Sequence, residues 1–277
     1  MQEEHSIAQL CDALAVSRSG YHAWAAREPG PRAQANAVLW THIEEAYRQS
    51  RETYGAPRVW QWLLRHGHVC GRHRVARLMR GHSLRSQIRR RFRVHLTDSN
   101  HDLPIAPNRL RDLHVQRRDA VWVADITYVP TDEGWLYVAG ILDWHTRRCV
   151  GWAMSESLAT TLPLAALDMA LKHRQPPRGL VHHSDRGVQY ASEAYRQRLA
   201  AAGVEPSMSR RGNCYDNALM ESFWSSFKRD LVHRVHFATR TQARAAIFEW
   251  IEIFYNRERL HSALGYQSPV DFETQLN

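Results

Sequence analysis

Lysine is almost absent from this sequence, and cysteine is scarce. Only two of the 37 basic residues are lysines, Lys172 and Lys228. The 4 cysteines include no Cys-x-x-Cys pair, which argues against a disulfide framework and favours a reducing compartment. Long apolar runs are also missing, since the longest, from Leu162 to Leu171, is interrupted by Asp168. With no basic segment at the N-terminus either, we expect a cytoplasmic protein with no membrane partner.

The positive charge is concentrated in one segment of the chain. Residues 51–118 contain 16 arginines against 4 acidic residues, and they supply the net charge of +9. The planar guanidinium group of arginine suits contacts with phosphate, so a polyanionic partner is the first hypothesis. The alternative is a solvated basic surface that serves only solubility.

The first part of the chain is predicted to be helical. A weak helix-turn-helix pattern covers residues 6–24, with Tyr21 and Trp24 as the expected apolar anchors. A stronger pattern follows, in which Pro57 begins one helix, Gly67 ends it, and apolar residues at helical spacing mark a second helix.

The second helix of that pair carries a row of arginines. They are Arg72, Arg74, Arg77 and Arg80. A helix that reads a DNA groove carries its phosphate and base contacts in this way, so these four residues are candidate DNA contacts. A structural helical hairpin with a solvated arginine face is the alternative. Residues 84–110 are then predicted to be a basic linker.

The pattern changes to strands after residue 120. Three antiparallel strands are predicted first, followed by strands that alternate with helices. The predicted strands cover residues 121–129, 135–143, 149–154, 180–183 and 206–208, and the helices cover 161–174, a segment from 192, and 215–233. A meander followed by such alternation predicts a mixed α/β sheet.

Three acidic residues stand where this order of elements brings them together. Asp125 lies in the first strand, Asp185 follows the fourth strand directly, and Glu221 lies in the last long helix. Each one alone is weak support for a metal site. Phosphoryl transfer on DNA, however, needs hard divalent cations, and Mg²⁺ binds through a few carboxylates while it keeps water and substrate oxygens as other ligands.

The spacing and the local motifs resemble a known family. Between Asp125 and Asp185 lie 59 residues, and between Asp185 and Glu221 lie 35, which is similar to the retroviral integrase superfamily. The whole chain resembles the second-reading-frame product of transposases of the insertion sequence three family of bacterial mobile elements. The segments that carry this resemblance are 16–24, the helix-turn-helix at Tyr54-Gly55, 122–128, 183–190, 208–228 and 255–269.

The resemblance implies a fold and a chemistry. It implies an RNase H-like mixed-sheet core that cleaves and joins DNA strands at the ends of an insertion sequence. Asp125, Asp185 and Glu221 then act as catalytic residues that hold two Mg²⁺ ions, for which Mn²⁺ can substitute. The expected domains are a short helical region (1–50), the helix-turn-helix and linker (51–115), the catalytic core (116–235) and a helical C-terminal extension (236–277).

The resemblance also implies partners. Double-stranded DNA, both element ends and target, is the substrate, and a homo-oligomer forms on it. In the family, the first reading frame supplies a further helix-turn-helix and a leucine zipper, which are fused to this product by frameshifting. Whether this chain acts without that segment stays open at the level of sequence.

Two residues of the last helix are candidate DNA contacts. Lys228 lies seven residues after Glu221, so both project from one helix face, and the family has a basic residue there. An exposed lysine on a polar face is the alternative. Asn217, one turn before Glu221, shares that face and is assigned to DNA, although it equally suits the role of orienting a metal ligand.

Other chemistries find less support in the sequence. His66, His68, Cys70 and His73 are close in sequence, but their spacing fits no standard zinc site. His183 is a candidate for orienting Asp185. Two rival functions remain: a metal-dependent nuclease without strand transfer, and a nonenzymatic DNA-binding regulator.

Overall fold

A computed structural model describes residues 5–86, 103–110, 113–209 and 217–276. The chain divides into two compact units, with the boundary between Arg85 and Ser86. The described residues of the first unit are helical, and those of the second form an α/β fold, as predicted. Most of the arginines of the predicted basic linker lie outside the described residues, as does the expected start of the last long helix at Tyr215.

Five helices form the described part of the N-terminal unit. They are α1 (Ile7–Ala13), α2 (Arg18–Ala25), α3 (Pro31–Gln49), α4 (Ala56–Arg65) and α5 (Arg72–Gly81). Ser17 begins α2, because its side chain accepts a hydrogen bond from the N–H of Gly20. The prediction that Trp24 anchors this region is wrong, since its side chain is 69% exposed. A helix of eight residues has too little neighbouring structure here to cover an indole.

The α4–α5 pair has the predicted helix-turn-helix form. Pro57 occupies the first turn of α4, where a missing N–H is harmless. Gly67 adopts a φ of +80°, which glycine accepts without strain, and it allows the chain to leave the helix. Val59 and Val75 are fully buried where the two helices pack. The indole of Trp60 donates to the carbonyl of Cys70 at 2.8 Å and thereby fixes the turn.

The described residues of the second unit form a five-stranded sheet. Its strands are β1 (Val121–Thr131), β2 (Gly134–Asp143), β3 (Cys149–Ser155), β4 (Val181–Ser184) and β5 (Glu205–Met208). The strand order is β3-β2-β1-β4-β5. The first three strands pair antiparallel, whereas β4 pairs parallel with both β1 and β5. This is the mixed sheet that the sequence predicts.

Strand β1 separates two hydrophobic layers because its side chains alternate between faces. Trp122 and Ala124 face the layer formed with α6 (Thr161–Arg174) and α8 (Glu193–Ala201). Val121 and Val123 face the opposite layer, which contains α9 (Ala218–Phe227). Asp125 follows the same alternation, so its strand position belongs to the face covered by α9.

The last long helix is not uniform. After α9 the chain widens into a π-helical turn over Lys228–Val232, which the sequence did not predict. A buried ion pair holds this turn: both Asp230 and Arg259 have side chains at most 4% exposed, and Arg259 Nε lies 3.3 Å from Asp230 Oδ2. Arg259 also donates to Ser226 Oγ at 3.0 Å. π-Helical turns are rare and frequently mark functional sites.

The C-terminal helices complete the same core. They are α10 (Arg240–Glu249), a π-helical segment (Trp250–Glu258) and α11 (Pro269–Thr274). The remaining short helix, α7 (Val188–Ala191), lies between β4 and α8. Ile247, Trp250 and Phe254 belong to the hydrophobic layer under α9. Near the end, Glu273 forms ion pairs with Arg148 and Arg174. Across the described ranges, no helix is both long and apolar enough to cross a lipid bilayer.

Candidate active site

Asp125 lies in β1, and Asp185 directly follows Ser184, the last residue of the neighbouring parallel strand β4. Val123 of β1 is the register partner of His183 of β4, and the two aspartates each follow two residues later. Alternation along β1 places the Asp125 side chain on the α9 face, and the Asp185 carboxylate is close enough to act on it electrostatically. The Oδ1 atom of Asp125 accepts the N–H of Ile126 at 2.8 Å, and that of Asp185 accepts the N–H of Gly187 at 2.9 Å.

Glu221 is supplied by the helix that crosses this face. It lies in the first turn of α9 and is exposed. Its charge acts on Asp125 more weakly than that of Asp185 does. Within the residues that the structure describes, no three carboxylate, imidazole or thiol groups are close enough to hold one ion as their side chains stand. The two aspartates are therefore the paired part of the site, and Glu221 lies further out.

The two aspartates repel each other. Burial raises the pKa of Asp125 to about 8, and the neighbouring Asp185 carboxylate is the second cause. The indole of Trp224 lowers the pKa of Asp125, although its geometry falls short of a full hydrogen bond. A partly buried carboxylate with a second one beside it is an environment that a cation stabilises.

Lys228 lies beside Asp125 at the start of the π-helical turn. Its Nζ atom is 4.3 Å from the centre of the Tyr128 ring, a cation–π distance. Burial lowers the pKa of Lys228, and the Asp125 carboxylate partly offsets this effect. The side chain is half-buried, so it differs from a lysine on a fully solvated helix face.

Asn217 is buried at the start of α9. Its Nδ2 atom donates to the carbonyl of Ala124, the residue before Asp125, at 3.4 Å. Its Oδ1 atom is buried and finds no partner among the described residues. The residue thus links the helix that carries Glu221 to the strand that carries Asp125. This contact suits the orienting role, one of the two interpretations of Asn217 from the sequence.

The four arginines of α5 have different surroundings. Arg72, Arg77 and Arg80 are exposed. Arg74 is half-buried, and its Nε donates to Asn36 Oδ1 on α3 at 2.8 Å. Three side chains are therefore available at the surface of α5, while the fourth also holds α5 against α3.

The histidines have other partners in the fold. His183 uses its two ring nitrogens toward Ser207 at 2.8 Å and Ser209 at 3.0 Å, so its main described contacts connect β4 to β5. His66 stacks on Trp62, and His68 stacks on His42. Each of these three histidines therefore has a partner within the fold.

Comparison with known proteins gives the family. Two family models described as "Integrase core domain" match residues 115–214 and 202–269, and one described as "HTH-like domain" matches residues 33–92. The 31 kDa protein of insertion element IS600 from Shigella sonnei is 47% identical over 97% of this chain and 98% of that protein. Transposase InsF for insertion sequence IS3A from Escherichia coli K12 is 39% identical over 99% of this chain and 96% of its own. The chain belongs to the IS3 family of transposases.

Membership in this family decides between the rival functions. An integrase core with an HTH-like domain, in a chain similar to transposases over nearly its full length, identifies a DNA-binding DDE-type transposase. The nuclease and regulator alternatives are disfavoured. The predicted α/β fold with a helical DNA-binding region is confirmed.

Solved structures add a weaker comparison. The simian T-cell lymphotropic virus intasome in complex with PP2A regulatory subunit B56 gamma matches 82% of this transposase and 73% of that chain, at 12% identity and a TM-score of 0.46. The HTLV-2 integrase catalytic core domain in complex with magnesium matches 56% and 96%, at 11% identity and a TM-score of 0.41. These similarities are too low to identify a fold by themselves.

Asp125→Asn is expected to stabilise the metal-free transposase. The folded-state pKa of Asp125 lies above its ordinary value of 3.8, so stability present at low pH is lost as the pH rises toward about 8. The amide removes this charge, and we expect the melting temperature in EDTA at pH 9 to rise by roughly 2 to 4 °C. Asp132→Asn, at an exposed position seven residues later, is the matched control. A lower melting temperature for Asp125→Asn at pH 9 would contradict the repulsion.

Proposed function

We propose that Asp125, Asp185 and Glu221 bind divalent cations with which the transposase cleaves and joins DNA at the ends of its insertion sequence. The observation that supports this most directly is the proximity of the Asp125 and Asp185 carboxylates, one in β1 and the other just after its parallel neighbour β4. Glu221 is on the helix that crosses the same face. A rigid sheet holds the two aspartates in place, and a helical side chain can approach them.

The donor set fits hard cations. All three groups are carboxylates, and burial together with the neighbouring Asp185 carboxylate raises the pKa of Asp125, an effect that a bound cation opposes. When bound, Mg²⁺ or Mn²⁺ ions polarise the scissile phosphate and activate water or a 3′-hydroxyl group. Asp125 and Asp185 form the preformed part of the site. Glu221, exposed in the first turn of α9, would complete the set, and the three residues together would hold two ions.

Lys228 is proposed to contact the phosphate of the DNA strand at this site. The Tyr128 ring and the Asp125 carboxylate hold its ammonium group next to the aspartates. Asn217 is proposed to fix the start of α9 and thus the approach of Glu221, through its bond to Ala124. Its burial favours this orienting role over a direct DNA contact.

Lys228→Ala is expected to weaken cleavage by about tenfold to hundredfold and to leave metal affinity nearly unchanged, because one charged hydrogen bond to phosphate is lost. Cleavage of labelled element ends and calorimetric Mg²⁺ titration measure the two effects. Lys172→Ala, which removes the other, exposed lysine of the chain, is the control. Wild-type cleavage in Lys228→Ala would reject the assignment.

The exposed arginines of α5 are proposed to bind element DNA. Arg72→Ala, Arg77→Ala and Arg80→Ala should each weaken binding, and each lost phosphate contact should reduce the slope of log affinity against log salt by about 0.9. Fluorescence anisotropy of the full chain at several salt concentrations measures this slope. Arg32→Ala, on exposed α3 surface, is the control. Arg74→Ala should also lower the free energy of unfolding, because the hydrogen bond from Arg74 to the Asn36 side chain is lost. Unchanged slopes in all three variants would remove α5 from the DNA interface.

A plasmid assay tests the proposed reaction. Supercoiled target plasmid and labelled element ends are incubated in Mg²⁺ with this chain fused to the first-reading-frame segment, and the products are separated on a gel. Joined products are expected, whereas nicks without joining indicate only a nuclease.

We also propose that a homo-oligomer forms on DNA together with the first-reading-frame segment. Comparing the fused protein with this chain alone tests that dependence, since equal activity would reject it.

A further inference from the structure

Trp224 connects the helix of Glu221 with the strand pair that carries Asp125. It lies on α9 three residues after Glu221, and its side chain is 6% exposed. Its indole packs over Gly140, because a Cβ atom at that position would lie 3.1 Å from two ring carbons of Trp224. Gly140 is the register partner of Asp125 across β1 and β2. The ring therefore lies over the backbone at the level of Asp125.

The polar edge of this indole has unused hydrogen-bonding capacity. Trp224 Nε1 is buried and finds no full hydrogen-bond partner among the described residues. A buried donor without an acceptor is unfavourable, so it has a strong preference for a nearby anion. Asp125 Oδ1 accepts the N–H of Ile126, and the indole N–H acts on the same carboxylate.

We propose that Trp224 is a positioning residue for the cation-binding carboxylate. Its indole N–H would donate to the Asp125 carboxylate in the cation-bound protein, and this bond would fix the direction in which the carboxylate presents its other oxygen. Gly140 leaves the space that the ring needs. The proposal rests on the cation-binding role proposed above for Asp125. Partners that orient metal ligands in this way affect metal affinity by about 10-fold to 100-fold.

Simple packing is the competing explanation, since Trp224 contacts Phe223 and Phe227 in the hydrophobic layer. Trp250 separates the two explanations. It lies in the same layer, is fully buried, and likewise has an indole N–H with no partner among the described residues. The side chains that lie nearest to a Cβ atom placed at Gly140, opposite Asp125, are those of Trp224 and Phe223 and not that of Trp250. Trp250→Phe therefore reproduces the loss of an indole from this layer without the loss of a donor to the carboxylate.

The experiment compares Mg²⁺ and Mn²⁺ binding by calorimetry on the full chain without DNA. We expect Trp224→Phe to weaken binding by about 10-fold to 100-fold, and Gly140→Ala to weaken it as well, because the added methyl group displaces the ring. Trp250→Phe is expected to bind like the wild type, although it loses stability. Wild-type affinity in Trp224→Phe overturns the proposal.

A spectroscopic measurement keeps the test decisive if a variant does not fold. The indole N–H resonance of Trp224 is followed in ¹⁵N-labelled wild-type protein and in Asp125→Asn. It is expected to shift on Mg²⁺ titration in the wild type only, and an unchanged resonance would overturn the inference. Failure of the wild type to bind Mg²⁺ at all would instead overturn the proposed function. Normal Mg²⁺ binding with an unshifted indole N–H resonance would reject only the role proposed for Trp224.

Discussion

Asp125→Asn, Asp185→Asn and Glu221→Gln are each expected to reduce strand cleavage and joining by at least about 10³-fold, because residues that act as one unit fail together. The amides keep the size of each side chain and remove the charge that holds the cations. DNA binding is expected to persist or to tighten, since negative charge beside DNA is lost. Cleavage of labelled element ends and anisotropy measure the two properties.

The same variants also test how the three residues depend on one another. A double variant is expected to be no less active than either single variant, because the unit has already failed. Asp132→Asn, just beyond β1, should retain full cleavage. If any one of the three variants retained wild-type strand transfer in Mg²⁺, that residue would have to be removed from the site.

Asp230→Ala is expected to lower the free energy of unfolding by about 3 to 5 kcal/mol, because it leaves the buried Arg259 guanidinium without its carboxylate. The π-helical turn that begins at Lys228 loses the ion pair that connects it to Arg259, so cleavage should also decrease. Urea unfolding followed by circular dichroism measures the stability.

A matched variant distinguishes the buried pair from its exposed neighbour. Arg229 lies 2.8 Å from Asp230 but is 30% exposed, so Arg229→Ala should cost less than about 1 kcal/mol. Replacing both buried partners, with Asp230→Leu and Arg259→Met, should recover much of the lost stability. A small loss in Asp230→Ala would mean that the pair contributes little to the fold.

The sequence predicts the sheet and the pairing of the aspartates well because the physical signals are local. The strand patterns around Asp125 and before Asp185 fix two buried strands, and parallel pairing then brings the residues after them to one edge. Helix α6 begins and ends where the pattern predicts, at Thr161 and Arg174. The roles of the site residues remain predictions, since geometry alone does not test them.

Other features depend on tertiary packing and have little local signal. The π-helical turn after Phe227 results from the fit of Asp230 to Arg259, 29 residues later. The approach of Trp224 to Asp125 depends on which residue of β2 lies opposite, and only the isolated Gly140 within a strand pattern hints at a close contact. The exposure of Trp24 likewise reflects the absence of covering structure among the described residues.

The ion pairs of Glu273 have a consequence for synthesis on the ribosome. Arg174, which Glu273 contacts, also pairs with Asp119 just before β1, at 2.8 Å. Trp250 and Phe254 complete the apolar layer under α9 only after the rest of the core has been translated. A nascent chain that stalls before these residues therefore carries all three acidic side chains but not the packing that supports them. A chain truncated before Trp250 should therefore cleave DNA poorly, although it contains the whole set of candidate catalytic residues.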